Sequence, residues 1–267
     1  MELQGRLNRI RQSGLGLVAI SYDAVPTLKD FATRRHITFP LLSDAGSATI
    51  KRYGILNTTV DPASSTYGIP FPGTFIVDAR GAVTSRTFEA AYQERDTIAS
   101  VMVRLGGSID APATKMAAAH LAVTAYSTDQ VAAPGTHFSL VLDVAPHRRV
   151  HVYAPGVSGY RPVTLTVQPQ PGLLIRAAQY PKPEDYYFKP LNEHVAVYQR
   201  PFRVVQELAI DASPQGAAAL KDRTSMTVAA TLEYQACDDT ICFTPQSVPL
   251  KWTIALRPLD RERVKPQ

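Results

Sequence analysis

The run Leu232-Glu-Tyr-Gln-Ala-Cys-Asp-Asp-Thr-Ile-Cys-Phe-Thr-Pro-Gln-Ser-Val-Pro-Leu250 carries both cysteines of the 267-residue chain, Cys237 and Cys242. Leading into it, Met226, Val228, Ala230, Leu232, Tyr234 and Ala236 share one parity, while Thr227, Thr231, Glu233, Gln235 and Cys237 share the other. This is the alternation of a half-buried strand, and it places Cys237 on the polar face. Past the second cysteine, Val248, Leu250, Trp252, Ile254 and Leu256 alternate again, so the two cysteines flank the turn of a hairpin. Facing residues of an antiparallel pair lie about 4.5–5.5 Å apart between Cα atoms, a span that a disulfide tolerates.

Three chemistries are open to such a pair. A zinc site needs about four ligands, and no further cysteine is present to supplement these two, so no metal is expected. A purely structural disulfide is the plain alternative, although a loop this short removes little chain entropy from the unfolded state. Thiol–disulfide exchange fits better, because a small disulfide loop at a hairpin end can be attacked by another thiolate if access is controlled. Negative charge on Asp238 and Asp239 raises a neighbouring thiol's pKa, which favours a pair that receives electrons over one that attacks.

The residues upstream of this run read as all-β. His137-Phe-Ser-Leu-Val-Leu-Asp-Val144, Val150-His-Val-Tyr153, Val163-Thr-Leu-Thr-Val167, Leu173-Leu-Ile-Arg-Ala177 and Val195-Ala-Val-Tyr198 are short β-rich runs separated by turn signals such as Ala133-Pro-Gly135, Ala154-Pro-Gly156 and Gln170-Pro-Gly172. Short strands at this spacing predict a β-sandwich. Pro201, inside the long run from His194 to Asp211, predicts an edge strand, a bulge or a switch between sheets. His147 and His151 read as surface residues, since a spacing of four does not bring side chains together on a strand.

The first half differs in kind. Leu3, Leu7 and Ile10 have helical spacing, and Leu15-Gly-Leu-Val-Ala-Ile-Ser21 is the continuous apolar run of a buried parallel strand. Pro26 then suits a first helical turn, with Leu28, Phe31 and Ala32 continuing the helix to Arg35. Thr74-Phe-Ile-Val-Asp78 and Val83-Thr-Ser-Arg-Thr-Phe88 form a hairpin around Gly81, and Ile98, Val101, Met102 and Leu105 mark a closing helix. Such an order predicts an α/β layer. The chain therefore divides into an α/β part at 1–107, a small, proline-interrupted linker at 108–119, a β part at 120–257 and a basic tail at 258–267.

Tyr234-Gln-Ala-Cys-Asp-Asp-Thr-Ile-Cys-Phe-Thr-Pro-Gln-Ser-Val-Pro-Leu250 resembles the signature of the N-terminal periplasmic domain of the thiol:disulfide interchange protein DsbD. The resemblance extends from near His120 to Leu256 and implies an immunoglobulin-like sandwich in which Cys237 and Cys242 form the working disulfide. It also implies a cap over the pair: the matching stretch is Pro183-Glu-Asp-Tyr-Tyr-Phe-Lys-Pro190, with Tyr186 and Tyr187 as cap residues and Glu184 and Asp185 as acidic neighbours. The family often has a longer gap between its cysteines and a second proline after them, where this chain has Phe243-Thr244-Pro245. Ordinary packing of loop tyrosines is the alternative reading of the aromatic run.

Residues 1–107 resemble the alkyl hydroperoxide reductase and thiol-specific antioxidant (AhpC/TSA) group of thioredoxin-fold proteins. The resemblance rests on Gly16-Leu-Val-Ala-Ile-Ser-Tyr-Asp23, Phe39-Pro-Leu-Leu-Ser-Asp44, Tyr53-Gly-Ile55 and Tyr67-Gly-Ile-Pro-Phe-Pro-Gly-Thr-Phe-Ile-Val-Asp78, and it implies a cis bond before Pro72. No cysteine precedes residue 237, so this half has no thiolate for peroxidase or dithiol chemistry. In that fold a strand lies between the Leu15 strand and the Thr74 strand, and here it is lacking. The expectation is an incomplete thioredoxin-like domain: either the true start lies upstream of Met1 and supplies a strand with Cys-x-x-Cys, or the domain is degenerate and kept for binding or support.

The net charge of +5 is dispersed apart from Arg34-Arg35, Arg148-Arg149 and the tail from Arg257 to Lys265, and no nucleic-acid partner is expected. No cofactor motif stands out. The cysteine pair and the resemblance together imply a periplasmic or otherwise extracytoplasmic protein whose partners are a membrane electron donor or thioredoxin-like domains.

Overall fold

The structure, a computed structural model, describes residues 2–64, 67–88, 95–188 and 192–258. It divides into two compact units, Met1–Ile98 and Ala99–Gln267.

In the first unit, α1 (Glu2–Gly5) and α2 (Leu7–Gln12) realise the opening helical spacing, and Leu7 and Ile10 are buried. The apolar run after Leu15 becomes strand only at its end, β1 (Ala19–Ser21), which pairs in parallel with β2 (Leu41–Ser43). Pro26 stands in the first turn of α3 (Val25–Arg34), where its missing N–H has no intrahelical partner to lose. The Asp44 carboxylate accepts the backbone N–H groups of Thr49 and Ile50 and so starts α4 (Ala48–Arg52). β3 (Gly73–Val77) and β4 (Val83–Phe88) form the expected hairpin, and Gly81 supplies the positive φ of 82° that its turn requires. A short strand, β5 (Arg95–Asp96), follows.

Among the described residues, no ladder joins β1 to β3; each belongs to its own two-stranded sheet. Val18, Ile20, Leu42, Val77 and Val83 are left about half exposed. Pro72 departs from expectation. No cis peptide bond occurs among the described residues, so the Phe71–Pro72 bond is trans. Trans is the default for X–Pro by about 0.5–1 kcal/mol, and this unit has no cysteine pair for a cis turn to face.

The second unit opens with α5 (Ile98–Arg104) and continues through β6 (Ala113–Ala118), β7 (Leu121–Ser127), β8 (Val131–Ala132), β9 (Thr136–Pro146) and β10 (His151–Tyr153). Next come β11 (Thr164–Val167), β12 (Leu173–Gln179), β13 (Glu184–Phe188), β14 (Glu193–Tyr198) and β15 (Phe202–Ile210). It closes with α6 (Pro214–Ala219), β16 (Ser225–Tyr234), β17 (Ala236–Cys237) and β18 (Gln246–Leu256). Three sheets result, in the orders β12-β15-β9-β7-β6, β11-β16-β18-β8 and β13-β14-β10-β17. One hydrophobic core is lined from all three, by Val123, Phe138, Leu140 and Leu208, by Met226, Val228, Leu232 and Ile254, and by Val152 and Tyr198.

Two sequence boundaries shift. The residues expected as linker include a strand, because Ala113–Ala118 pairs with Leu121–Ser127 through the turn at Ala119-His120. The helix expected to close the α/β half packs instead on the β unit, where Val103 meets Tyr126, Val141 and Val205 on the outer face of the β9 sheet. This explains why His137–Val144 reads as a nearly unbroken apolar run: both faces of β9 are covered. Of the tail expected at 258–267, only residue 258 lies within the described residues.

α5 is anchored by Arg104, whose Nη1 donates to Glu207 Oε2 at 2.6 Å, while His137 Nδ1 lies 3.6 Å from Glu207 Oε1. His137 and then Arg104 hold the half-buried Glu207 carboxyl below its ordinary value. A carboxyl depressed in the folded state contributes stability that is fully present above its unfolded value of about 4.3 and is lost as pH falls through the folded value. Glu207→Gln is expected to lower stability by about 1–3 kcal/mol at pH 7 and to flatten the acid limb of the stability profile, as read by urea unfolding across that range with Trp252 fluorescence.

Candidate functional site

The site is built where one strand leaves a sheet. Along β16 the alternation holds: Met226, Val228, Ala230, Leu232 and Tyr234 are all buried, and the strand pairs with β18 from Ser225↔Ala255 to Tyr234↔Gln246. At Gln235 the chain crosses to the β13-β14-β10-β17 sheet, where Ala236 and Cys237 pair with Val152 and His151 of β10. The Gln235 side chain fixes the crossing, since its Nε2 donates to the Phe243 carbonyl at 3.1 Å, and Phe243 N–H in turn donates to the Ala236 carbonyl at 2.8 Å.

Cys237 and Cys242 are disulfide-bonded, with Cα atoms 4.0 Å apart. Their exposures differ sharply. Cys237 is 1% exposed and Cys242 is exposed, as is Ile241 beside it. The alternation of β16 predicted a polar-face position for Cys237. The crossing overturns this, because β17 lies in another sheet whose outward face has its own cover of Tyr153, Val195 and Val197, with Val157, Tyr160 and Tyr186 packed against them. Val152 and Ala236, of opposite parity, enter the main core.

The loop between the cysteines is held by Asp238. Its Oδ1 accepts the N–H groups of Thr240 and Ile241 at 2.7 and 2.8 Å and the Thr240 hydroxyl at 2.7 Å, while its own N–H donates to the Ile241 carbonyl. These bonds, the Thr240 side chain first, hold the Asp238 carboxyl below its usual range. Tyr153 donates its hydroxyl to Cys242 Sγ at 3.5 Å, the only direction open when the sulfur is in a disulfide. Burial pushes the Tyr153 phenol up, so that hydroxyl keeps its proton. Its ring stacks on Tyr160 with centroids 4.0 Å apart, and the Tyr160 hydroxyl donates to Glu193.

The four residues expected at the cap divide by strand parity. The stretch Glu184–Phe188 is the strand β13, so Glu184, Tyr186 and Phe188 face one way, and Asp185 and Tyr187 the other. Tyr186 reaches the cysteine loop, donating its hydroxyl to Asp239 Oδ1 at 2.9 Å and lying against the His151 ring at 4.5 Å between centroids. Tyr187 instead donates to Asn192 and packs against His194. Glu184 pairs with Arg200 and Asp185 with His194, so the carboxylates beside the disulfide are Asp238 and Asp239. Lys189 and Pro190 lie outside the described residues.

Sequence reasoning missed the site's own strand. His151 is 3% exposed, not a surface residue, and it sits directly opposite Cys237. The alternation His151, Val152, Tyr153 marked His151 and Tyr153 as neighbours on one face, but nothing local said that this face would be covered. His147 is exposed, as expected.

The model of the AhpC/TSA family matches residues 1–86, and that of the thiol:disulfide interchange protein DsbD, N-terminal, matches residues 121–251. The chain is thus similar to the AhpC/TSA family over its first part and to the DsbD N-terminal family over its second. Curated relatives are alkyl hydroperoxide reductase E of Mycobacterium bovis and of Mycobacterium tuberculosis, each 32% identical over 97 residues, which is 36% of this chain and 59% of the relative. The chain thus spans about six-tenths of the length of those relatives. Among solved structures, the DsbD N-terminal domain of Neisseria meningitidis in the reduced form aligns at 13% identity with a TM-score of 0.29, over 44% of this chain and 81% of that one. The N-terminal periplasmic domain of ScsB from Proteus mirabilis aligns at 13% identity with a TM-score of 0.36, over 54% of this chain and 52% of that one.

The cysteine loop of the DsbD-like segment depends on an ionised Asp238. Asp238→Ala is expected to abolish the amide protection of Thr240 and Ile241 in hydrogen exchange. The native chain is expected to keep that protection at neutral pH and lose it as pH falls through the depressed Asp238 value.

Proposed function

We propose that this chain is a thiol–disulfide exchange protein whose working group is the Cys237–Cys242 disulfide, mounted on an immunoglobulin-like sandwich. One observation carries the reading: the bond joins an exposed residue, Cys242, to an almost fully buried one, Cys237. A structural staple needs no such asymmetry, whereas exchange needs a sulfur that can be reached and a second that is kept from side reactions. The two family segments, both of thiol-redox families, support it.

The electrons balance as follows. A partner thiolate attacks Cys242 Sγ, the bond to Cys237 Sγ breaks, and its electron pair leaves on Cys237. A second thiol of the partner attacks the partner's own sulfur in the mixed disulfide, which releases Cys242 and leaves the partner oxidised. The reduced pair passes two electrons onward when Cys242 attacks an acceptor disulfide. Cys237 then displaces the acceptor and restores the internal bond. Suitable donors and acceptors are a membrane electron donor and thioredoxin-like domains, in an oxidising compartment such as the periplasm. Tyr186 acts as the cap that meters access. The AhpC/TSA-like unit has no cysteine among residues 1–107, so the exchange proposed here runs through the Cys237–Cys242 pair alone.

Two measurements test this. Cys237→Ser is expected to trap a mixed disulfide when its Cys242 thiolate attacks a supplied thioredoxin-fold disulfide and releases that partner's other sulfur as thiolate, whereas Cys242→Ser, with only the buried sulfur left, traps little. Tyr186→Ala is expected to speed reduction of the native disulfide by dithiothreitol several-fold. A reduction potential below about −300 mV with no mixed disulfide from either single variant would instead mark a structural staple.

A further inference from the structure

Resting on the exchange reading above, we infer that His151 is the charge partner of Cys237, taking up a proton as the sulfur leaves, holding that sulfur as a thiolate, and giving the proton up once the sulfur has attacked. The placement is set by the ladder. His151 and Cys237 are direct partners in the antiparallel pairing of β10 and β17, so their side chains stand on the same face with Cβ atoms about 4.5–5.5 Å apart. Both are almost fully buried, at 3% and 1% exposure, so the imidazole is the ionisable group that faces the sulfur across the ladder. Cys242 has a polar partner in the Tyr153 hydroxyl; His151 gives Cys237 the corresponding one.

The ring is held in place. It makes an edge contact with Tyr153 at 5.5 Å and a tilted contact with Tyr186 at 4.5 Å between centroids. The charged and titratable groups that face it can be taken element by element. β10 offers Tyr153, and the loop after β17 offers Asp238 and Asp239. β13 offers Tyr186, while Glu184 on the same parity is paired with Arg200. β14 presents Val195 and Val197, with Glu193 taken by Tyr160. Burial lowers the imidazole's affinity for a proton, against the pull of Asp239 and Asp238. At neutral pH the ring is therefore chiefly neutral, with one N–H to offer.

Breaking the disulfide changes that balance. The negative charge appearing on Cys237 Sγ favours the imidazolium, so the ring takes up a proton from solvent and the buried site holds a thiolate–imidazolium pair instead of a bare anion. In the reverse step Cys237 attacks Cys242 Sγ as the thiolate, its electron pair forms the new S–S bond, and the acceptor leaves with the pair from the broken one. His151 then returns its proton to solvent. No oxidant beyond the acceptor disulfide is needed.

The test compares the oxidised native chain with His151→Phe, which keeps a ring against Tyr153 and Tyr186, and with His151→Gln, which keeps a donor but carries no proton. Reduction by dithiothreitol is followed by stopped flow from acidic to mildly alkaline pH, with rates expressed per unit of dithiothreitol thiolate. The native rate is expected to rise as pH falls through the His151 titration, and the His151→Phe rate to be flat and at least about tenfold lower in the acidic limit. His151→Gln is expected to be flat as well but less impaired. In a Cys242→Ala background, the Cys237 thiolate absorbance at 240 nm should appear at higher pH once His151 is replaced. A native chain that reacts normally while the variants match its rate and slope overturns the His151 assignment alone. A native disulfide inert to dithiothreitol at every pH overturns the exchange reading and this one with it.

Discussion

The second unit turns on one strand that serves two sheets. From Ser225 to Tyr234 the chain is an interior strand of one sheet, and two residues later it is the edge of another. The Gln235 amide and the Phe243 N–H tie the crossing to the far side of the cysteine loop. Without the crossing, Cys237 would continue on the solvent face of β16. With it, the sulfur turns under a lid of aromatic rings, while the loop that returns the chain to β18 keeps Cys242 outside.

That asymmetry organises the chemistry. The two bonded cysteines differ in burial, and each has its own polar neighbour, the Tyr153 phenol for Cys242 and, across the ladder, His151 for Cys237. The carboxylates near them are occupied: Asp238 closes its own turn, and Asp239 accepts from Tyr186. β14 and β15 show the same device in a second place, since Tyr198 and Phe202 lie on neighbouring strands of different sheets with Pro201 in the crossing between them. A proline suits that position because no ladder requires its N–H.

The first unit shows the opposite situation. Its strands are short, its two sheets have two strands each, and apolar side chains that a complete layer would cover stand half exposed. The second unit covers both faces of β9 and lines a shared core from three sheets. The physical contrast follows from pairing: a strand with one neighbour leaves half its backbone groups outside the ladder and cannot bring a second row of side chains over its own.

Local pattern by itself determined much of this. Alternation located β16 and β18, short β-rich runs located β9, β10, β11, β12 and β14, a proline marked the start of α3, and the two cysteines with their flanking residues located the disulfide. Other features depended on what lies opposite. Ala113–Ala118 looks like linker because small residues carry no clear period, and it becomes strand only by pairing with β7. His151 looks like a surface residue until β13 and β17 cover it, and Tyr186 differs from Tyr187 only through the parity of a strand that reads as a loop. Periodicity reports which residues share a face; which faces are then buried, and against which partners, is decided by non-local pairing, whose energy no stretch of sequence contains.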